Sequence, residues 1–183
     1  MQLSSEYATY GDKVTVTTIP DTGYELDYIK VSDNVIEGNE FIMPAESVYV
    51  IAYFRKAEYS IKTDSGIGGS ASTSVTKANY QDTVTVNAVP ETGYKLDQIK
   101  VNNEVINGNT FTMPAKNVNV NVTFKKINYN LTVNATAGGS AKLSATTATY
   151  GDTIKVTATP DTGYMVDEIL VNDEPAMPDR NLF

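Results

Sequence analysis

Apolar and polar residues alternate with a period of two along most of this chain. The clearest run is Asn117 to Phe124. There Val118, Val120, Val122 and Phe124 point one way, and Asn117, Asn119, Asn121 and Thr123 the other. One face is dry and one wet, as in an antiparallel sheet. Thr83 to Ala88 repeats the logic with Val84, Val86 and Ala88 inward. Turn residues separate such runs. Gly68-Gly69 is expected to close a first hairpin and Asn107-Gly108 another. Pro90-Glu91-Thr92-Gly93 offers a fixed φ and then a left-handed residue. Pro114 cannot donate to a ladder, and it precedes the last strand. The pattern predicts six strands, at about 59–64, 70–78, 82–89, 94–101, 109–113 and 117–125, and no amphipathic helix beyond a single turn near Pro114. Tyr94 and Leu96 have the opposite parity to Ile99 and Val101, so burying both pairs calls for a one-residue bulge between Leu96 and Ile99.

This unit recurs every 70 residues. Tyr10, Tyr80 and Tyr150 keep that offset, as do Asp12, Asp82 and Asp152, then Gly23-Tyr24, Gly93-Tyr94 and Gly163-Tyr164. A period of that length marks a small module in tandem. The expected division is 1–57, 58–127 and 128–183. The counterpart of Tyr59 to Ser70 falls before Met1, so the first module is expected to lack its opening strand and the chain to be a piece of something longer. The third is expected to lack its last strands. The fold class is all-β: tandem small antiparallel modules in an elongated array. Linkers such as Lys125-Lys126-Ile127-Asn128 carry no Gly/Ser run, so neighbours should be ordered relative to one another.

Composition narrows the function. Lys plus Arg number 14 against 22 Asp plus Glu, a formal charge of −8. That argues against nucleic acid, which needs a basic face, and against anionic lipid. The chain has no histidine and no cysteine, so disulfides and thiolate metal sites are excluded and the commonest general base is missing. No apolar run is long enough to span a bilayer, so membrane insertion is not expected.

The run from Gly151 to Tyr164, the stretch Asn109 to Val118 containing Phe111-Thr112-Met113-Pro114-Ala115, and the closing Val122-Thr123-Phe124 resemble the divergent internalin B-type repeat family. Phe41-Ile42-Met43-Pro44-Ala45 repeats the most specific element, whereas Pro175 to Arg180 departs from it. The resemblance implies a compact module, β-grasp-like or a small sandwich, borne on secreted and wall-attached bacterial proteins as a spacer or adhesive stalk. It brings no catalytic motif.

The residues themselves offer little other chemistry. Asp12, Asp82 and Asp152 are expected to cap a turn before a strand. Asn102-Asn103-Glu104 and Asn172-Asp173-Glu174 are acidic loops without the spacing of a calcium loop, and read as solvated turns. The recurring tyrosines are expected to pack in a core or corner. No metal, cofactor or catalytic residue is assigned.

One difference between modules stands out. The outward positions of the last strand are Asn119, Asn121 and Thr123 in the second module but Tyr49, Ile51 and Tyr53 in the first. Tyr28 replaces Gln98 on a neighbouring strand. These four residues form the candidate ligand or interface patch. Three occupants compete: a neighbouring repeat or domain of the parent protein, a second copy, or a glycan or host protein. The expected function is a non-catalytic stalk, spacer or adhesin segment at the bacterial cell surface or outside the cell. The alternatives are an accessory glycan- or protein-binding module of a secreted enzyme, and a strand-exchanging fibre subunit.

Overall fold

The computed structural model describes residues 1–176, and among them every regular element is a strand. The first repeat contributes β1 (Gln2–Leu3), β2 (Lys13–Thr17), β3 (Tyr24–Val31), β4 (Asn34–Ile36), β5 (Glu40–Ile42) and β6 (Val50–Lys56). The second contributes β7 (Glu58–Ser65), β8 (Gly69–Thr73), β9 (Lys77–Asn79), β10 (Thr83–Pro90), β11 (Tyr94–Val101), β12 (Glu104–Val105), β13 (Thr110–Thr112) and β14 (Val118–Lys126). The third contributes β15 (Asn128–Asn130), β16 (Gly139–Leu143), β17 (Thr147–Thr149), β18 (Val156–Pro160), β19 (Leu170–Val171) and β20 (Glu174–Pro175). The chain forms two compact units. One is Met1–Glu91 with Leu96–Lys125, and the other is Thr92–Lys95 with the chain from Lys126 onward.

The second repeat shows the module most fully. Three strands in the order β13-β10-β8 face five in the order β12-β11-β14-β7-β9. Val84, Val86 and Phe111 of one layer meet Ile61, Ile99, Val118, Val120 and Val122 of the other, with Met113 fully enclosed between them. The inward residues are those the alternation names. What alternation does not reveal is direction. β14 and β7 run parallel, with Val118 opposite Ile61 and Val120 opposite Thr63. Parallel neighbours need a crossover of a dozen residues or more, and residues 66–117 supply it.

Several turns differ from expectation. The single strand expected over 70–78 is two. β8 pairs with β10, and β9 pairs with β7, so the chain changes sheet between Thr73 and Lys77. At that corner Ser74 N–H donates to Thr85 and Ile61 N–H to the Thr76 carbonyl, both at 2.8 Å. Splitting lets one short segment supply a partner to each layer. Gly68-Gly69 therefore closes no hydrogen-bonded hairpin, because β7 and β8 lie in different sheets. Gly69 instead admits the ring of Phe124, which a Cβ there would meet at 2.5 Å. The hairpin joins β11 to β12 across Asn102-Asn103, and Asn107-Gly108 leads into the other layer. The expected bulge is present in the first repeat, where the β3–β6 register slips between Leu26 and Tyr28. In the second repeat Leu96, expected inside, is 40% exposed.

The first repeat builds the same two layers from β1-β2-β5 and β4-β3-β6. Val14, Val16, Ile29 and Val31 are buried. The third repeat shows three separate strand pairs: β15-β17, β16-β18 and β19-β20. The departure from the family element reaches from Pro175 to Arg180, and its Met177 to Arg180 part lies outside the described residues, as does the question of the last strands.

Candidate functional site

The sheet β4-β3-β6 carries the tyrosine patch. β3 and β6 are antiparallel, with Tyr28 opposite Tyr53 and Lys30 opposite Ile51. The slip after Leu26 decides Tyr28's direction, which parity alone left open. It brings the Tyr28 ring onto that of Tyr53, centroids 4.5 Å apart and planes 21° from parallel. Lys30 Nζ lies 5.9 Å from the Tyr53 centroid. Tyr49, just before β6, donates its hydroxyl to Asp33 Oδ1 at 2.9 Å. That bond, made to the protonated phenol, holds the Tyr49 hydroxyl's pKa above the ordinary tyrosine value. At the far end Arg55 pairs with Glu25 at 2.8 Å and Asp27 at 3.5 Å. Tyr49, Ile51 and Tyr53 are 52, 41 and 37% exposed, and Tyr28 is half-buried by its stack.

The structure thus brings Tyr28, Ile51 and Tyr53 onto one face, with Tyr49 at its margin. Sequence reading missed Lys30 and Arg55, although both were legible. Lys30 shares the parity of Tyr28, and Arg55 that of Tyr53. In the second repeat the same positions are polar, and Lys125 pairs with Asp97 at 2.7 Å.

A second arrangement involves tyrosines expected in a core or corner. Tyr80 instead reaches from the second repeat into the first, both within the first unit. Its ring covers Gly23 so closely that a Cβ there would overlap it. It also meets Tyr24 edge-on, centroids 6.4 Å apart. Ala57 N–H donates to the Gly23 carbonyl at 2.8 Å, and Tyr80 N–H to the Ala57 carbonyl at 3.0 Å. Glycine is required at Gly23 twice over, for the contact and for its φ of +80°. Within the second unit Tyr150 covers Gly93 in the same way. Tyr10 is 79% exposed.

The recurring carboxylates are committed to local structure. Asp12 accepts from Thr9 N–H at 2.7 Å and from its hydroxyl at 2.9 Å. Asp152 takes the same two bonds from Thr149. Asp82 accepts from Asn79 N–H at 3.0 Å. The Thr9 and Thr149 donors hold the Asp12 and Asp152 carboxyls below the usual carboxylate range. These are Asx-type turns, as the sequence indicates. Asn102, Asn103, Asn172 and Asp173 take positive φ, which two-residue hairpins favour. Their side-chain chemistry is explained by the turn.

No helix among the described residues is long and apolar enough to cross a membrane. Neither a curated protein nor a solved structure matches the chain. The divergent InlB B-repeat domain matches residues 2–58, 59–128 and 129–181. With three tandem matches together covering nearly its whole length, the chain belongs to the divergent InlB B-repeat family, whose repeats are typical of bacterial surface proteins and typically non-catalytic.

Proposed function

We propose that this chain is a spacer segment of a bacterial cell-surface or secreted protein, holding another domain at a distance from its attachment. The observation that carries this reading is the lock of Tyr80 on Gly23, where side chain and backbone together join one repeat to the next. A spacer works by resisting bending. An interdigitated ring and a backbone hydrogen bond across the boundary restrain a joint more than a flexible linker does. The chemistry left over is poor in general bases, with no histidine and no cysteine. The expected result is a narrow distribution of distances between spin labels placed on the first and second repeats, broadened by Gly23→Ala. Retention of a soluble glycan, or turnover of any substrate, would overturn the reading.

A second reading, that the segment also contacts a partner, is favoured by the apolar face of β6. The partner is a protein surface: a neighbouring domain or a host protein. Tyr28 and Tyr53 turn their ring faces toward each other, and Lys30 flanks Tyr53. The stack covers one face of each ring, and a protein interface uses ring edges and hydroxyls as well as the faces left over. Tyr49→Ala/Tyr53→Ala is expected to abolish capture of such a partner and leave the distance distribution between the first two repeats unchanged.

A further inference from the structure

Asn107-Gly108 is the one Asn-Gly pair in the chain, and the sequence has no Asp-Gly. It lies in the irregular stretch between β12 and β13, with both residues exposed. Gly108 has a φ of +89°, and the place where a Cβ would stand has nothing within 4 Å. The chain is held on either side of the pair, not at it. Ile106 N–H donates to the Ile99 carbonyl at 3.0 Å, and the Asn109 carbonyl accepts from Val86 N–H at 2.7 Å. Among the described residues no hydrogen bond holds the Asn107 side chain or the Gly108 N–H.

Other asparagines are worse placed for reaction with the residue that follows them. Asn87 is held in the β10–β8 ladder opposite Ser72. Asn102 Oδ1 accepts from Asn119 N–H at 3.0 Å, and the next nitrogen belongs to Asn103, whose own side chain crowds it. Asn134 is exposed, but it precedes Ala135. Only at Asn107 is the neighbouring nitrogen that of a glycine, with no Cβ beside it.

We propose that Asn107 is a site of spontaneous covalent modification, in which its side-chain amide is lost through attack by the Gly108 nitrogen. That nitrogen gives its proton to water and bonds to Asn107 Cγ. The carboxamide nitrogen takes up a proton and leaves as ammonia, closing a succinimide ring. Water then adds to one ring carbonyl and breaks its bond to the ring nitrogen. Opening at Cγ leaves aspartate. Opening at the main-chain carbonyl leaves isoaspartate, with the backbone running through Cγ. In sum one water enters and one ammonia departs, and either product makes the formal charge of −8 more negative by one.

The two products differ in what they do to the fold. The first repeat already has Glu37-Gly38 at these positions, with Gly38 at φ +77° and equally open space around it. A carboxylate on an unaltered backbone is therefore compatible with the module. Isoaspartate instead adds a main-chain carbon between the Ile106 and Asn109 anchors, which loosens the bond from Val86. The spacer reading is separate, since it rests on the Tyr80 joint.

The intact folded chain, held for weeks in mildly alkaline buffer, is expected to accumulate a more acidic species on anion exchange. Peptide mapping should place the exchange of NH2 for OH at Asn107, several-fold ahead of Asn103 and Asn134, with isoaspartate identified by fragmentation of the altered backbone. Asn107→Gln should suppress the species, because glutamine must close a larger ring. Asn107→Asp is the standard for one product. It should keep the hydrogen-exchange protection of the Val86 amide that the isoaspartate form loses. An Asn107 that stays intact in the folded chain, or that reacts no faster than Asn103 and Asn134, overturns the proposal. Loss of Val86 protection in Asn107→Asp would overturn the distinction between the products.

Discussion

The first and second repeats lie in one compact unit and follow one plan, yet their interiors are not equally closed. In the second repeat a parallel strand seals the sheet, and the Met-Pro element, through Met113, is fully enclosed. In the first, Met43 and Phe41 at the same positions are only half-buried. Their outer faces differ in the opposite sense. The repeat with the open core carries Tyr28, Ile51 and Tyr53 outside, and the closed one carries Gln98, Asn121 and Thr123. Burial at an inward position is therefore set by the neighbouring strand as well as by parity. The cross-strand tyrosines reinforce β6 on the one side where it has a partner.

The largest contrast should come from the core. Met113→Ala is expected to destabilise the second repeat by about 3 kcal/mol, whereas Met43→Ala costs the first about 1 kcal/mol, because a half-buried site leaves little cavity. Denaturant unfolding followed by residue-resolved hydrogen exchange separates the two repeats, and equal losses would refute the claim of unequal closure.

The junction comes next. Gly23 and Gly163 have φ of +80° and +85°, but only Gly23 lies under a tyrosine ring. Gly163→Ala should cost about 1 kcal/mol through backbone strain alone, and Gly23→Ala about 2 kcal/mol or more by adding the overlap with Tyr80. If the two cost the same, the Tyr80 contact contributes nothing.

Tyr53→Ala removes a stacked partner that the second repeat lacks. It should cost about 1 kcal/mol, against a few tenths for Thr123→Ala, as double-mutant cycles with Tyr28→Ala would verify. A smaller effect of opposite sign is expected at Gln81, whose φ is +69° where the other repeats have Gly11 and Gly151. Gln81→Gly should gain about 0.5 kcal/mol, left-handed strain relieved exceeding glycine's added chain entropy.

The least change at neutral pH is expected from Asp12→Asn, and its signature is in acid. The native carboxyl titrates below its unfolded value of about 4, so its contribution is present above that value. It is lost as pH falls through the depressed native pKa. The wild-type first repeat should therefore lose stability below about pH 4, and Asp12→Asn should flatten that slope in an acid titration monitored by NMR. An unchanged slope would mean the Thr9 bonds do not discriminate between ionisation states.

Alternation made the inward faces of β10 and β14 legible, and the Asp-capped turns followed from spacing and residue type. The 70–78 strand was misread because periodicity is blind to which sheet a strand joins. A corner between Thr73 and Lys77 leaves the residue pattern intact while moving the chain to another layer. In the patch, Tyr49, Ile51 and Tyr53 could be placed by parity. Tyr28 could not, because one extra residue in a strand reverses every side chain beyond it.

By itself the sequence determined the period, the strand character, the dry faces of the regularly alternating strands β10 and β14, and the family, since these rest on local sterics and the burial of apolar side chains at every second position. Tertiary structure alone decided that β7 and β14 run parallel and that Tyr80 belongs to its neighbour's surface. Those depend on which distant segments meet, and pairing across more than 50 residues of chain leaves no imprint on the order of neighbouring side chains.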